Sequence, residues 1–341
     1  MALHKRPLGK SGMEITTVGL GAWAIGGGGW LFGWGQQDDE ASIAAIHHGI
    51  ELGINWIDTA AIYGLGHSEE VVGRALAGIA AARRPMVFTK CGLSADRSKP
   101  FDAPRRDLRP ETIRRECEDS LRRLDVERID LYQFHWPDES TAAEDSWGEM
   151  QRLKREGKIR AAGVSNFTVA LLERCERVGH VDSLQPPFSM IRRETAEELI
   201  PWCAKNGTGV IAYSPMQSGL LTDRFSAERV GKFAKDDWRR SNAEFQEPNL
   251  SRNLRLRDAL RPIAQRHGTT VAAVAVEWTL IWPGVSGAIV GARSPEQVDG
   301  WIRAGEMELT PQDVDEMARA IDETQAGRGP GRPNPMRASA D

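Results

Sequence analysis

The sequence predicts an α/β fold, a (β/α)8 TIM barrel with an N-terminal β-hairpin and long loops at the C-terminal face of the barrel. Three observations lead there. Short β-branched or apolar runs alternate with amphipathic stretches over the whole length, an order that implies parallel strands joined by helical crossovers. No linker of shifted composition divides the chain, which favours one closed sheet over an open sheet with two domains. The two stretches that exceed ordinary connections both follow predicted strands, where a barrel carries its functional loops.

In chain order, strands are expected at 16–20, 54–58, 86–90, 129–135, 159–164, 181–185, 209–214 and 287–290. Helical patterns occupy 39–52, 68–77, 110–124, 142–156, 168–178, 195–206 and 269–280. Within the third of these, Ile113, Cys117, Leu121 and Leu124 recur on a single helical face. Helix starts are marked by Ser68 ahead of Glu69 and Glu70, by Thr168, and by Ser294 ahead of Pro295. Residues 3–6 and 13–15 flank Gly9-Lys10-Ser11-Gly12, a hairpin placed to cap one end. The long loops are 26–35, rich in glycine and tryptophan, and roughly 215–251. Residues 1–322 are thus expected to form a single barrel domain. The tail 323–341, with Gly327, Gly329, Pro330, Gly331 and Pro333, lacks apolar periodicity and is expected to be disordered.

A formal net charge of −4 leaves no basic footprint, which argues against nucleic acid and anionic membrane surfaces as general partners, though not against a local basic site. Cys91, Cys117, Cys175 and Cys203 stand far apart without a C-x-x-C pair, which argues against a disulfide framework and a structural zinc site. A reducing cytoplasm is the expected location. No signal-peptide pattern or membrane span is visible. N-x-[ST] matches at Asn166, Asn206 and Asn249 matter only in a secreted protein and are read as chance.

Asp58, Tyr63, Lys90 and His135 stand at the ends of predicted strands or just beyond, and would converge on one barrel mouth. With these residues in place, and over roughly residues 1–322, the chain resembles the aldo-keto reductase superfamily, whose catalytic tetrad is Asp, Tyr, Lys and His. Singly, each has a plainer role as cap, packing ring, solvated charge or satisfied hydrogen-bonding group; together, on consecutive strand ends, they favour function. Hydride transfer to a carbonyl leaves negative charge on oxygen, so a proton donor must stand within reach. Tyr63 is the expected donor. A free phenol titrates near pH ~10, so a nearby cation, Lys90, is expected to lower its pKa. Asp58 would hold the ammonium charged, and a neutral His135 would donate a hydrogen bond to the carbonyl. Run backwards, the set is an alcohol dehydrogenase with Tyr63 as base.

Neither a complete G-x-G-x-x-G nor a P-loop occurs, since position 4 is His4 where a P-loop needs glycine. The resembled family binds its cofactor across the barrel mouth, and its marks recur here at Gly163-Val164-Ser165-Asn166-Phe167, Gln185, Tyr213-Ser214-Pro215 and Gly291-Ala292-Arg293-Ser294. The resemblance implies that Ser165, Asn166 and Gln185 hold the nicotinamide carboxamide and that Tyr213 stacks on its ring. Met216, Gln217, Ser218, Gly219 and Leu220 would run beside the pyrophosphate. Arg293, Ser294 and Gln297 open the last βα unit, where a helix N-terminus and a guanidinium suit a 2′-phosphate. NADPH/NADP+ is therefore expected, with NADH as the alternative. Two positions depart from the family: Gly300 and Trp301 replace a Glu-Asn pair that contacts adenine.

Trp23 and Trp136 directly follow strand ends and are expected to line a pocket for an uncharged small-molecule carbonyl or alcohol; Trp30, Phe32 and Trp34 are wall or loop anchor. An aldolase would need a neutral lysine, against which Asp58 works. A metal-dependent isomerase would need clustered ligands, and of seven histidines only His135 falls at a strand end. The motif from Ile57 to Glu69 resembles bacterial branches of the family and the reductase-like β subunits of potassium channels, which leaves a nicotinamide-binding regulatory subunit with little turnover as the alternative.

Overall fold

The computed structural model describes residues 2–233 and 237–333. The N-terminal strands β1 (Lys5–Pro7) and β2 (Glu14–Thr16) pair antiparallel, with Arg6 opposite Ile15. Eight parallel strands then close on themselves: β3 (Val18–Gly21), β4 (Trp56–Asp58), β5 (Met86–Cys91), β8 (Ile129–Phe134), β9 (Ile159–Ser165), β10 (Ser183–Gln185), β11 (Gly209–Tyr213) and β12 (Val285–Gly291), with β12 returning to β3. Between β5 and β8 a two-stranded ribbon, β6 (Leu93–Ser94) and β7 (Arg105–Arg106), rises from the rim. The protein is thus a (β/α)8 TIM barrel with its N-terminal hairpin, as the alternating runs predict.

The barrel interior is a filled core. Trp56, Phe88, Leu131, Ala161, Ile211 and Ile289 meet there, and the hairpin contributes Leu8, Met13 and Ile15. Trp56 stacks on Phe88 at 5.1 Å, and its indole N–H donates to the carbonyl of Thr16 at 2.8 Å, so the largest ring is also tied to the hairpin. A packed interior leaves only the strand ends free for chemistry. Register aligns those ends: Gly21 lies opposite Asp58, Lys90 opposite Gln133, Gln185 opposite Ser165 and Gly291 opposite Gly21.

Helices α1 (Asp39–Glu51), α2 (His67–Ala77), α3 (Pro110–Leu124), α4 (Ala143–Arg155), α5 (Val169–Glu176) and α6 (Leu199–Asn206) follow the strands in turn. After β11 come α7 (Ala227–Gly231), α8 (Asn249–Ala259), α9 (Arg261–Arg266) and α10 (Val271–Leu280); after β12, α11 (Pro295–Asp299) and α12 (Pro311–Thr324). Among the described residues no helix is long and apolar enough to cross a membrane. Thr168 caps α5 as expected, accepting from the Leu171 amide at 3.4 Å. Ser68 does not cap α2. That helix starts one residue earlier, and the Ser68 hydroxyl donates instead to the carbonyl of Ala22 at 2.8 Å.

The tail expected to be disordered from 323 onward is different in its first part. α12 runs to Thr324, after which the chain docks against 191–193: the Arg328 amide donates to Ile191 O at 3.1 Å and the Arg193 amide to Arg328 O at 2.9 Å. The Arg193 guanidinium, itself buried, donates to the carbonyls of Met190, Ala326 and Gly329. Gly327 makes the close approach possible, because a Cβ there would lie 1.9 Å from Ile191 O. Polar backbone bonding, invisible to an apolar-periodicity argument, orders the segment. Residues 334–341 of that expectation lie outside the described residues.

Candidate active site

Asp58 ends β4 and Lys90 lies near the end of β5, with 2% and 1% of their surfaces exposed. Charges so deeply placed persist only when paired and hydrogen-bonded. The Lys90 ammonium donates to Asp58 Oδ1, to the carbonyl of Thr59 at 2.9 Å and to the Tyr63 hydroxyl at 3.4 Å. Asp58 Oδ2 accepts from the side-chain amides of Gln185 at 2.9 Å and Gln133 at 3.2 Å.

The chain from Asp58 to Tyr63 is held by its neighbouring strand, Thr59 N donating to Phe88 O at 2.8 Å and Ala61 N to Lys90 O at 3.3 Å. Just beyond Tyr63, Gly64 has a φ of 59°, and a Cβ on it would fall 2.3 Å from the carbonyl of Gly26. That contact sets Tyr63 against the first long loop. His135 follows β8; its ring meets Tyr63 edge-on at 5.6 Å, and its carbonyl accepts from Asn166 Nδ2 at 3.0 Å. Asp58, Tyr63, Lys90 and His135 therefore share one mouth.

Burial, helped by the Lys90 charge, holds the His135 imidazole well below its usual pKa and so neutral. Burial lowers Lys90 while Asp58 opposes that through charge and hydrogen bond. Tyr63 corrects an expectation: burial, then the charge of Asp58, push its phenol well above the usual range, rather than Lys90 lowering it. The reason is that desolvation of the phenolate dominates and the Asp58 carboxylate, bonded to the ammonium, adds to it, so the ion pair gives no net lowering.

Ser165, Asn166, Gln185 and Tyr213 form one connected patch beside these residues. Ser165 Oγ donates to Gln185 O at 2.7 Å, Asn166 Nδ2 donates to Ser165 Oγ at 3.0 Å, and the Tyr213 hydroxyl donates to Asn166 Oδ1 at 2.9 Å. Beyond β11, Ser214, Gln217, Ser218 and Gly219 hold left-handed φ values of 56°, 45°, 53° and 98°. Three of these are not glycine, a strain of order ~1 kcal/mol each that persists where function rewards it. Within this stretch the amides of Gln217, Gly219 and Leu220 donate to Ser214 O at 2.9 Å, Met216 O at 3.1 Å and Gln217 O at 3.2 Å, so the turn is braced by its own backbone. Pro215, Gln217 and Leu220 are buried, whereas Ser214, Met216, Ser218 and Gly219 are half-buried. The polar patch of Ser165, Asn166, Gln185 and Tyr213 fits the carboxamide and ring of a nicotinamide.

On the same rim, next to β11, Gly291 ends β12 and Arg293 is engaged with the first long loop. Its guanidinium donates to Gln37 Oε1, Trp34 O and Gln36 O, and its amide to Gln297 Oε1 at 3.0 Å. Burial, then the charges of Arg239 and Arg229, lower its pKa, so two further guanidinium groups act on Arg293. Ser294 precedes α11 without a side-chain cap bond, and α11 is only five residues long. Trp301 is buried in the core.

Trp23 lines the mouth. It stacks on Tyr63 at 6.1 Å and on Trp238 at 5.5 Å, with Trp34 edge-on to both tryptophans. Trp136, next to His135, lies beneath the Arg106 guanidinium at 5.0 Å. Trp30 is a loop anchor, packed with Ala60 and Ile62. Sequence reasoning missed Trp238, which sits in a long loop without periodicity, and Gln133. A signal for Gln133 existed: it is an uncharged polar residue set among Leu131, Tyr132 and Phe134, two positions before His135 and hence on the same face of the strand. Among the described residues no cluster of His, Cys, Asp or Glu could hold a metal ion.

A closed barrel with Asp, Lys, Tyr and His at its mouth defines a class of carbonyl-alcohol oxidoreductase. The sequence profile of the aldo/keto reductase family matches residues 17–322, and the chain belongs to that family, which works with nicotinamide cofactors. It is similar to an aldo-keto reductase of Bacillus subtilis (YhdN), 36% identical over 85% of each chain. It is 34% identical to the NADH-specific methylglyoxal reductase of Escherichia coli, over 94% of this chain and the whole of that one. Among solved structures, a glycerol dehydrogenase of Gluconobacter oxydans superposes with a TM-score of 0.84 at 38% identity, covering 98% of both chains.

Proposed function

We propose that this protein interconverts small uncharged carbonyls and alcohols by hydride transfer, with Tyr63 as the general acid and base and NADP(H) as its cofactor. The observation that carries the reading is the Tyr63 hydroxyl 3.4 Å from a buried lysine ammonium. The bound nicotinamide supplies or accepts the hydride. In reduction, the neutral Tyr63 phenol donates its proton to the carbonyl oxygen as negative charge develops there. Lys90 stabilises the phenolate left behind, and Asp58 keeps Lys90 charged and aimed. Neutral His135 donates its ring N–H to the same substrate oxygen, which fixes the carbonyl and spreads its charge.

Ser165, Asn166 and Gln185 are the groups that would hold the carboxamide, with Tyr213 against the ring. Arg293, backed by Arg239 and Arg229, supports a phosphate on the ribose and hence NADP(H). The E. coli relative named as NADH-specific makes this a point to test. Relatives named for methylglyoxal and glycerol support a small oxygenated substrate.

Turnover with a panel of aldehydes, ketones and polyols tests the activity, followed through absorbance of the reduced cofactor. Tyr63→Phe should bind cofactor normally and lose turnover; near-normal turnover would remove Tyr63 from its role. Arg293→Ala should weaken NADPH binding, read by tryptophan quenching, with little effect on NADH. Equal weakening of both would contradict the 2′-phosphate assignment.

A further inference from the structure

Gln133 belongs to β8, where Ile129, Leu131, Tyr132 and Phe134 are buried apolar or aromatic neighbours. Its side chain is completely buried. An amide in that position must find partners for both of its ends, and it finds them within the site. Nε2 donates to Asp58 Oδ2 at 3.2 Å, while Oε1 accepts from Gln185 Nε2 at 3.1 Å. Gln185 Nε2 spends its other hydrogen on the same Asp58 Oδ2, at 2.9 Å.

The three side chains therefore close a ring. An amide nitrogen carries two hydrogens, and both of those on Gln185 are fixed, one by Asp58 and one by Gln133. With the nitrogen so fixed, the plane of the Gln185 amide and hence the direction of its oxygen are set. Asp58, in turn, divides its negative charge between Lys90 on one oxygen and two amides on the other.

We propose that Gln133 is a positioning residue that links the cofactor site to the proton-transfer site: it fixes the orientation of the Gln185 amide and moderates the charge of Asp58. The proposal rests on the roles given above to Asp58, Lys90, Tyr63 and Gln185. Removing Gln133 frees the Gln185 amide to rotate, which weakens its hold on a carboxamide. It also takes one hydrogen bond from Asp58, whose charge then acts more strongly on Lys90 and Tyr63. A stronger negative field disfavours the phenolate, so the base form of Tyr63 appears only at higher pH. The charged or titratable groups acting on this pair are Asp58 from β4, Glu69 from α2, His135 after β8 and Tyr213 from β11.

The test compares Gln133→Leu and Gln133→Glu with the unaltered protein, measuring NADPH dissociation constants by tryptophan quenching and the pH profile of alcohol oxidation. Gln133→Leu should weaken NADPH about tenfold, the scale of one lost hydrogen bond in a charged network. Its oxidation profile should move up by about one pH unit. The carboxyl introduced by Gln133→Glu can, while protonated, donate to Asp58 and accept from Gln185. That variant should therefore approach normal affinity at acidic pH and lose it as the carboxyl ionises beside Asp58.

Unchanged affinity and pH profile in Gln133→Leu would overturn the proposal. So would a uniform loss at every pH that is the same in both variants, since that is a packing effect. If Gln133→Leu fails to fold, the pH dependence of Gln133→Glu decides. A parallel Tyr63→Phe separates the two readings: retained turnover there defeats the assigned function, whereas a dead Tyr63→Phe with unaffected Gln133 variants defeats only this inference.

Discussion

Lys90 and Asp58 are each costly to bury alone and acceptable together, and the site's behaviour follows from that pairing. Asp58→Asn leaves an ammonium without its counter-charge. It should cost about 3–5 kcal/mol of stability, read by urea denaturation, and abolish turnover. Adding Lys90→Met should restore most of the stability and none of the activity; a double variant as unstable as Asp58→Asn would show that the pair is not what the single change disturbs. The direction of the Tyr63 shift sets a second expectation. With its phenol held above the usual range by burial and Asp58, Tyr63 is protonated through neutral pH. Carbonyl reduction, which needs the proton, should be flat from pH ~6 to ~9. Alcohol oxidation needs the phenolate and should climb throughout that range. An oxidation rate that levels off near neutrality would contradict the assignment of the shift.

Among the elements, the loops decide access and the strands decide chemistry. The second βα loop bends sharply after Tyr63, and Gly64 accepts that bend while touching Gly26. Gly64→Ala would force a Cβ to within 2.3 Å of a carbonyl oxygen at a φ of 59°. It should therefore destabilise by about 1–3 kcal/mol and lower kcat by displacing Tyr63; thermal melting and steady-state rates check both. In the loop after β11, Trp238 shields the outer face of Trp23. Trp238→Ala should raise kcat/KM for bulky ketones relative to small aldehydes, and an unchanged ratio would place Trp238 outside the substrate's path. The strand-end residues were legible in the sequence because Asp58, Lys90 and His135 interrupt apolar runs at positions that only one face of a barrel can use. Trp238 was not, since nothing in a non-periodic loop says where it folds back. α8 escaped too: its arginines and asparagines leave no apolar stripe, although Leu250 and Leu256 are buried. The lowering of the Tyr63 pKa failed as an expectation because it counted one charge where the structure places an ion pair.

Across the whole molecule, the C-terminal segment reaches the patch of Tyr213 and Asn166 through packed backbone. Residues 326–329 bond to 191–193, and the same connection after β10 places Pro187 beside Tyr213 and bonds the Phe188 amide to Tyr213 O at 3.2 Å. Tyr213 in turn bonds Asn166. A chain ending at Thr324 removes the carbonyls of Ala326 and Gly329 from the buried Arg193 guanidinium. Leaving that charge under-bonded should cost about 2–3 kcal/mol, and the loosened connection should let Tyr213 shift, so that NADPH binds more weakly as well. Arg193→Leu in the shortened chain removes the stranded charge and should recover part of the stability without recovering affinity, because the docking of 326–329 is still missing. Urea midpoints and NADPH titrations of the three proteins separate the two effects. If the shortened chain unfolds at the same urea concentration as the full one and binds NADPH equally well, the segment is an adornment of the barrel and Tyr213 is held by its strand alone.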